Sequence, residues 1–299
     1  VTGEVITSGA GTTAWTATNG DTTFDAVVSP VVPGSVANKA QTAAVTDLNA
    51  DSADVNETVT YTKVGSLVPS SSDGHFPGAA TVVYPNDPSD ATKVTPAGVP
   101  TVPGYTAHDP EGHVLTPGSR YQPSDPTKDT TITYTADQQT GSVSYVDDTT
   151  GKTLKTDSIS GTTGSKSSYS TSGNIADYKK HGYELVTDGY PADLTFDNND
   201  TTDQNFTVHL KHQLTPVNPT DPQTPGAPIN PDEPDGPKWP ARTNYDKTVK
   251  ETVRYVDQNG HVVAKPHTDS VNFTRTVVVD NVTGEVITSG AGTTAWTAT

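Results

Sequence analysis

Apolar and polar positions alternate along much of this chain with the two-residue period of a β-strand. In Thr248-Val249-Lys250-Glu251-Thr252-Val253-Arg254-Tyr255-Val256-Asp257 the apolar positions 249, 253 and 255 share one face. Gln258-Asn259-Gly260 follows as a turn and His261-Val262-Val263-Ala264 as the returning strand, because an Asn-Gly step between strand residues is a strong hairpin signal. Thr276-Val277-Val278-Val279 reads as another short strand. Near the start, Phe24-Asp25-Ala26-Val27-Val28, the turn Pro33-Gly34 and Glu57-Thr58-Val59-Thr60-Tyr61-Thr62 continue the pattern. In the middle, strands are predicted at Asp129-Thr130-Thr131-Ile132-Thr133-Tyr134-Thr135, at Val143-Ser144-Tyr145-Val146-Asp147 and at Asn205-Phe206-Thr207-Val208-His209-Leu210. Helix is scarce: Ile175-Ala176-Asp177-Tyr178 with Lys179-Lys180-His181 predicts one short turn, bounded by Gly182. The pattern therefore predicts a mainly β, β-rich α+β chain.

Residues 1–18 (VTGEVITSGAGTTAWTAT) recur without substitution as residues 282–299. Such a long echo marks a tandem array. The offset makes the repeat unit 281 residues. The chain then divides into residues 1–66, the C-terminal part of one repeat domain; 67–139, a connecting β module; 140–213, a second β module; 214–244, a proline-rich spacer; and 245–299, the N-terminal part of the next copy of the first domain. Joined through the echo, 245–281 and 1–64 make about 100 residues, an ordinary domain size. Neither end is expected to close a domain alone. The modules echo one another: Tyr145-Val146-Asp147 and its turn to Gly151 resemble Tyr255-Val256-Asp257 and its turn to Gly260. Divergent copies of one small β-rich fold are the simplest account.

From 216 to 240 proline stands at every third position, Pro216 through Pro240. Polyproline II has three residues per turn, which predicts an extended, semi-rigid spacer of roughly 75 Å with its rings along one edge. A collagen reading fails, since only Gly226 and Gly236 occur within it. Acidic residues (Asp221, Asp232, Glu233, Asp235) argue against a ligand for a proline-binding groove. Trp239, at the spacer's end, is expected to dock it onto the domain that follows.

Composition narrows the classes. Only 31% of residues are hydrophobic, too few for one large core but enough for several small ones. A net charge of −17 excludes phosphate-backbone recognition and attraction to anionic membranes. No transmembrane run is present. Cysteine and methionine are both absent, so the cores hold without disulfides and the main targets of oxidation are missing. These features fit a bacterial extracellular protein.

Candidate chemistry is thin. The eight histidines (His75, His108, His113, His181, His209, His212, His261, His267) are scattered, and His209 and His212 point to opposite faces of a strand. They read as ordinary surface histidines, with no metal site. Asp197-Asn198-Asn199-Asp200 with Asp203 is the densest oxygen cluster. It lacks the calcium-loop pattern and reads as a polar turn between Phe196 and Phe206, with calcium binding as the alternative. No Gly-x-Ser-x-Gly elbow exists, and Gly161-Thr162-Thr163-Gly164-Ser165-Lys166 lacks the spacing of a phosphate loop. No catalytic residues and no cofactor are assigned. Trp15 and its duplicate Trp296 read as core residues, with stacking on a sugar face as the alternative.

Three stretches resemble the mucus-binding repeats of lactic-acid-bacterial adhesins. Val143-Ser144-Tyr145-Val146-Asp147 through Leu210-Lys211 resembles a mucin-binding (MucBP-type) domain. Thr252-Val253-Arg254-Tyr255-Val256-Asp257-Gln258-Asn259-Gly260, with Val271-Asn272-Phe273-Thr274-Arg275 and Val282-Thr283-Gly284-Glu285-Val286, resembles the companion domain type. Val99-Pro100 to Tyr105, with Leu115-Thr116-Pro117 and Pro126-Thr127-Lys128-Asp129-Thr130, resembles the connecting domain. The resemblance implies small ubiquitin-like β-grasp modules strung like beads and adhesion to mucin glycans. In some members it also implies immunoglobulin binding. It supplies no ligand residues for these positions. The implied protein is a non-enzymatic, monomeric, elongated repeat of a cell-wall-anchored bacterial surface protein. Its partners would be host mucin glycoproteins, with no nucleic acid and no membrane insertion. The alternative is a passive stalk that displays a distal binding domain.

Overall fold

The computed structural model describes residues 1–299, which form two compact units, Val1–Asp137 and Gln138–Thr299. Both are mainly β. No helix is long and apolar enough to cross a membrane.

In the first unit, β1 (Ser35–Ala37) pairs with β2 (Tyr61–Lys63). Then come β3 (Ser66–Ser70), β4 (Val82–Val83), β5 (Ala97–Gly98), β6 (Tyr105–His108), β7 (Val114–Leu115), β8 (Arg120–Tyr121) and β9 (Thr130–Ala136). A five-stranded sheet has the order β4-β3-β9-β6-β7, with β3 and β9 parallel; β5 and β8 form a separate pair. The alternation in β9 turns Ile132 and Tyr134 inward. There they join Leu67, Tyr84, Ala97 and Tyr105, and Phe76 stacks on Tyr134 at 5.1 Å. Gly65 is needed where the chain passes the Lys128 backbone, since a Cβ there would meet it at 2.4 Å.

Residues 1–60 depart from the predicted strands. Phe24–Val28 forms only the single bridges Phe24 to Val45 and Val28 to Gln41, and the strand expected at 57–62 shrinks to Tyr61–Lys63. Val5, Ile6, Trp15, Phe24, Val27 and Val28 are exposed. A strand pattern becomes a strand only when a sheet accepts it, and this unit offers those residues none.

The second unit starts with β10 (Gln138–Asp147) and β11 (Lys152–Thr162), then α1 (Ser172–Lys180), β12 (Tyr183–Asp188) and β13 (Gln204–His212). The sheet order is β11-β10-β13-β12; β10 and β13 are parallel and the other pairs antiparallel. The first strand thus pairs with the second and, in parallel, with the last, as β3 does with β4 and β9. Strict alternation sends Val143 and Tyr145 of β10 and Val208 and Leu210 of β13 into one core with Ile175 of α1 and Phe196. The helix is longer than the single turn expected. Its exposed polar residues hide the periodicity, and only Ile175 is buried.

The rest of the unit contains β14 (Leu214–Val217), β15 (Asp246–Val256), β16 (Val262–Thr274), β17 (Val277–Asp280), β18 (Val286–Ile287) and β19 (Thr297–Ala298). Sheets of order β14-β17-β18 and β15-β16-β19 result. The predicted hairpin is present, with Gly260 at φ +85° in its turn.

The proline-rich stretch is not an extended spacer. Its first residues are β14, paired with β17. Farther on it doubles back: Gly226 N–H donates to the Trp239 carbonyl, Trp239 N–H to Ala227 and Ile229 N–H to Pro237. The three-residue proline period leaves two N–H groups free per turn, and these make the hairpin. Burial decides between the two conformations. Ile229 and the half-buried Trp239 pack against Val217, Tyr245, Val277 and Val279, apolar contact that an extended rod would forgo.

Candidate functional site

The alternation that buries Val208 and Leu210 also buries His212, two residues on, and the one that buries Val143 and Tyr145 buries Asp147. Asp280 ends the buried run of β17. The three meet where the module of β10–β13 joins the segment that follows it. His212 Nε2 lies 2.7 Å from Asp147 Oδ2 and Nδ1 lies 2.7 Å from Asp280 Oδ2, with side chains 5%, 2% and 8% exposed. Both ring nitrogens face carboxylates, so the doubly protonated imidazolium satisfies the site. Burial alone would lower the His212 pKa; hydrogen bonds and charge from Asp280 and Asp147 outweigh it and raise the pKa. Each aspartate also caps its turn, Asp147 accepting from Thr149 N–H and Asp280 from Val282 N–H.

Around this triad, Tyr183 sets its ring edge against His212 at 5.3 Å, and Asn230 of the proline hairpin donates to the Asn281 carbonyl at 2.8 Å. Gly182, at φ +90°, lies so close to Asn281 that a Cβ would sit 2.3 Å from its carbonyl oxygen. His212 is thus no surface histidine; the other seven are exposed or half-buried. His209, on the opposite face of β13, pairs with Asp148 at 2.8 Å.

The duplicated tryptophan has two settings. Trp296 lies under two cations, Arg275 at 4.4 Å and Lys247 at 5.3 Å from the ring centroid. Trp15 is 88% exposed and borders an open groove of about 550 Å³ with Asp21, Thr22, Leu48 and Asn49. Neither is a core residue in the full sense expected.

The oxygen cluster is spread over separate partners. Asp200 accepts from Gln139 Nε2 at 2.6 Å, Asp203 from Thr140 Oγ1 at 2.6 Å, and Asp197 from the Asn199 N–H at 3.0 Å. These contacts tie the 197–203 turn to the start of β10. Asp109, Glu111 and His113, in the turn between β6 and β7, do bring three ligand atoms within 4.8 Å. Sequence spacing alone did not single them out. His113 Nδ1 there faces Asp109 Oδ2 at 3.1 Å.

Family comparisons match three stretches of the chain. A mucin binding domain model matches residues 139–212, and a Muc B2-like domain model matches residues 1–65 and 240–299. Two solved structures are similar. The crystal structure of Mub-RV is 35% identical, over 54% of this chain and 72% of that one, with a TM-score of 0.40. The type 2 repeat of the mucus binding protein MUB from Lactobacillus reuteri is 36% identical, over 53% and 74%, with a TM-score of 0.37. The chain belongs to the mucus-binding repeat family. No curated protein sequence matches it. Membership rests on sequence identity and on the two domain matches. In this mucus-binding repeat, the His212 triad closes the seam between the mucin binding domain and the strands that follow.

Proposed function

We propose that this chain is a repeat of an extracellular bacterial adhesin that binds mucin-type glycoproteins through many weak contacts. The observation that carries the reading is the match of a mucin binding domain to 139–212 and of a Muc B2-like domain to 1–65 with 240–299. Linked copies of a weak site multiply its effect. The adhesin acts by binding, without turnover. The passive-stalk alternative loses its main support once the proline stretch is folded. The strand order β11-β10-β13-β12, with its central parallel pair and one helix, supports a β-grasp reading of the mucin binding domain.

The test is binding to immobilised mucin by one, two and three tandem repeats at matched site concentration. Apparent affinity should rise steeply with number. Equal binding by all lengths would reject multivalency. Immobilised immunoglobulin and desialylated mucin serve as the comparison surfaces.

A further inference from the structure

We propose that Lys155 and Asn174 join through a side-chain amide bond, releasing ammonia, with Asp157 as the proton carrier. The inference does not depend on mucin binding. Lys155 and Asp157 are two residues apart on β11 and so share a face. A register shift between Tyr145 and Val146 sets Lys155 directly across from the fully buried Tyr145. Asn174, in the first turn of α1, descends onto the same face.

The atoms are arranged for transamidation. Lys155 Nζ lies 3.1 Å from Asn174 Oδ1, one bond away from the amide carbon it would attack. Asp157 presents one oxygen to each reacting nitrogen: Oδ1 lies 3.5 Å from Lys155 Nζ, and Oδ2 lies 3.1 Å from Asn174 Nδ2. The departing nitrogen is held further by Tyr145 Oη at 3.1 Å. Tyr169 donates to Asp157 Oδ2 at 2.8 Å and fixes the carboxylate between its two partners. Burial, then hydrogen bonds with Tyr145 and Asp157, raise the Tyr169 pKa, so its phenol stays a donor. Near-attack placement of this kind supplies much of what an uncatalysed amide exchange lacks.

The step balances without any co-reactant. Asp157 takes a proton from the Lys155 ammonium, and the free amine adds to the Asn174 amide carbon. A proton passes through Asp157 to Nδ2, the carbon–Nδ2 bond breaks, and ammonia leaves and is protonated. One ammonium and one primary amide become one secondary amide and one ammonium ion. The product ties α1 to β11, the edge strand of its sheet, in a chain that has no cysteine for a disulfide.

Mass spectrometry of the purified full chain tests this. The intact mass should fall short of the sequence mass by one ammonia. Tryptic digestion should leave Lys155 uncut and yield residues 153–166 covalently joined to residues 167–179. A cyclic imide at Asn174 would lose the same mass but leave Lys155 cleavable, and that result would overturn the proposal. So would the unreduced sequence mass in the wild-type protein. Lys155→Arg, Asn174→Ala and Asp157→Asn should each restore the full mass. A linked product in Asp157→Asn would overturn the role of Asp157.

Discussion

Replacing His212 by leucine strands two carboxylates in a seam they cannot leave. In the wild type, Asp147 and Asp280 are 2% and 8% exposed and each lies 2.7 Å from the ring. Removing one partner of a buried ion pair costs about 3–5 kcal/mol. Both carboxylates keep their turn hydrogen bonds to Thr149 and Val282, which places the expected loss at the lower end, about 3 kcal/mol. Urea unfolding followed by tryptophan emission reads the right unit, because Trp239 and Trp296 lie in it and Trp15 is already in solvent. The pH dependence gives a second reading. The folded His212 pKa is raised above the unfolded value of about 6.5. Its stabilisation is therefore complete below about pH 6.5 and is lost as pH rises from there through the folded value. The wild type should weaken across that window more steeply than His212→Leu, which keeps only the smaller contribution of His181. A loss within about 0.5 kcal/mol, the range of ordinary surface changes, would refute the buried imidazolium, as would a wild-type curve without slope.

Ile229→Ala should cost about 2–5 kcal/mol in the same unfolding experiment and red-shift Trp239 emission, because Ile229 is 7% exposed in the folded proline hairpin. An extended spacer would show no change. Trp296→Ala should cost about 1 kcal/mol and speed amide exchange in β15 and β16, since it removes the ring beneath Arg275 and Lys247. Trp15→Ala should leave thermal stability within about 0.5 kcal/mol, although its eighteen-residue context is identical in sequence.

What could be read in advance follows from how local each cause is. The 257–261 turn and the inward alternation of Val143, Tyr145, Val208 and Leu210 depend on neighbours in sequence, and both appear as expected. The same alternation carries Asp147 and His212 inward, a signal available in the strands. Their partner Asp280 lies 68 residues beyond His212, so the charge balance that lets them be buried was not visible. The proline period reports what the backbone permits; the contacts of Ile229 and Trp239 decide what it does. Lys155, Asp157 and Asn174 likewise converge only once α1 lies on the sheet. Trp15 and Trp296 share eighteen residues of sequence, but only Trp296 follows a 245–281 segment, whose Lys247 and Arg275 cover its ring.

The parallel pairing of β10 with β13 bears on how the mucin binding domain would meet tension. Its first and last strands lie side by side, Gly141–Asp147 against Gln204–Leu210 in continuous register. A pull applied at the two ends of the domain drags these strands lengthwise past each other. Their hydrogen bonds are then loaded in shear, all together, and must yield as a group. Peeling from one end would break them singly under much smaller force. The pairing of β3 with β9 repeats the arrangement in the other unit. A chain pulled from its two ends would carry its load along the strongest direction each sheet has.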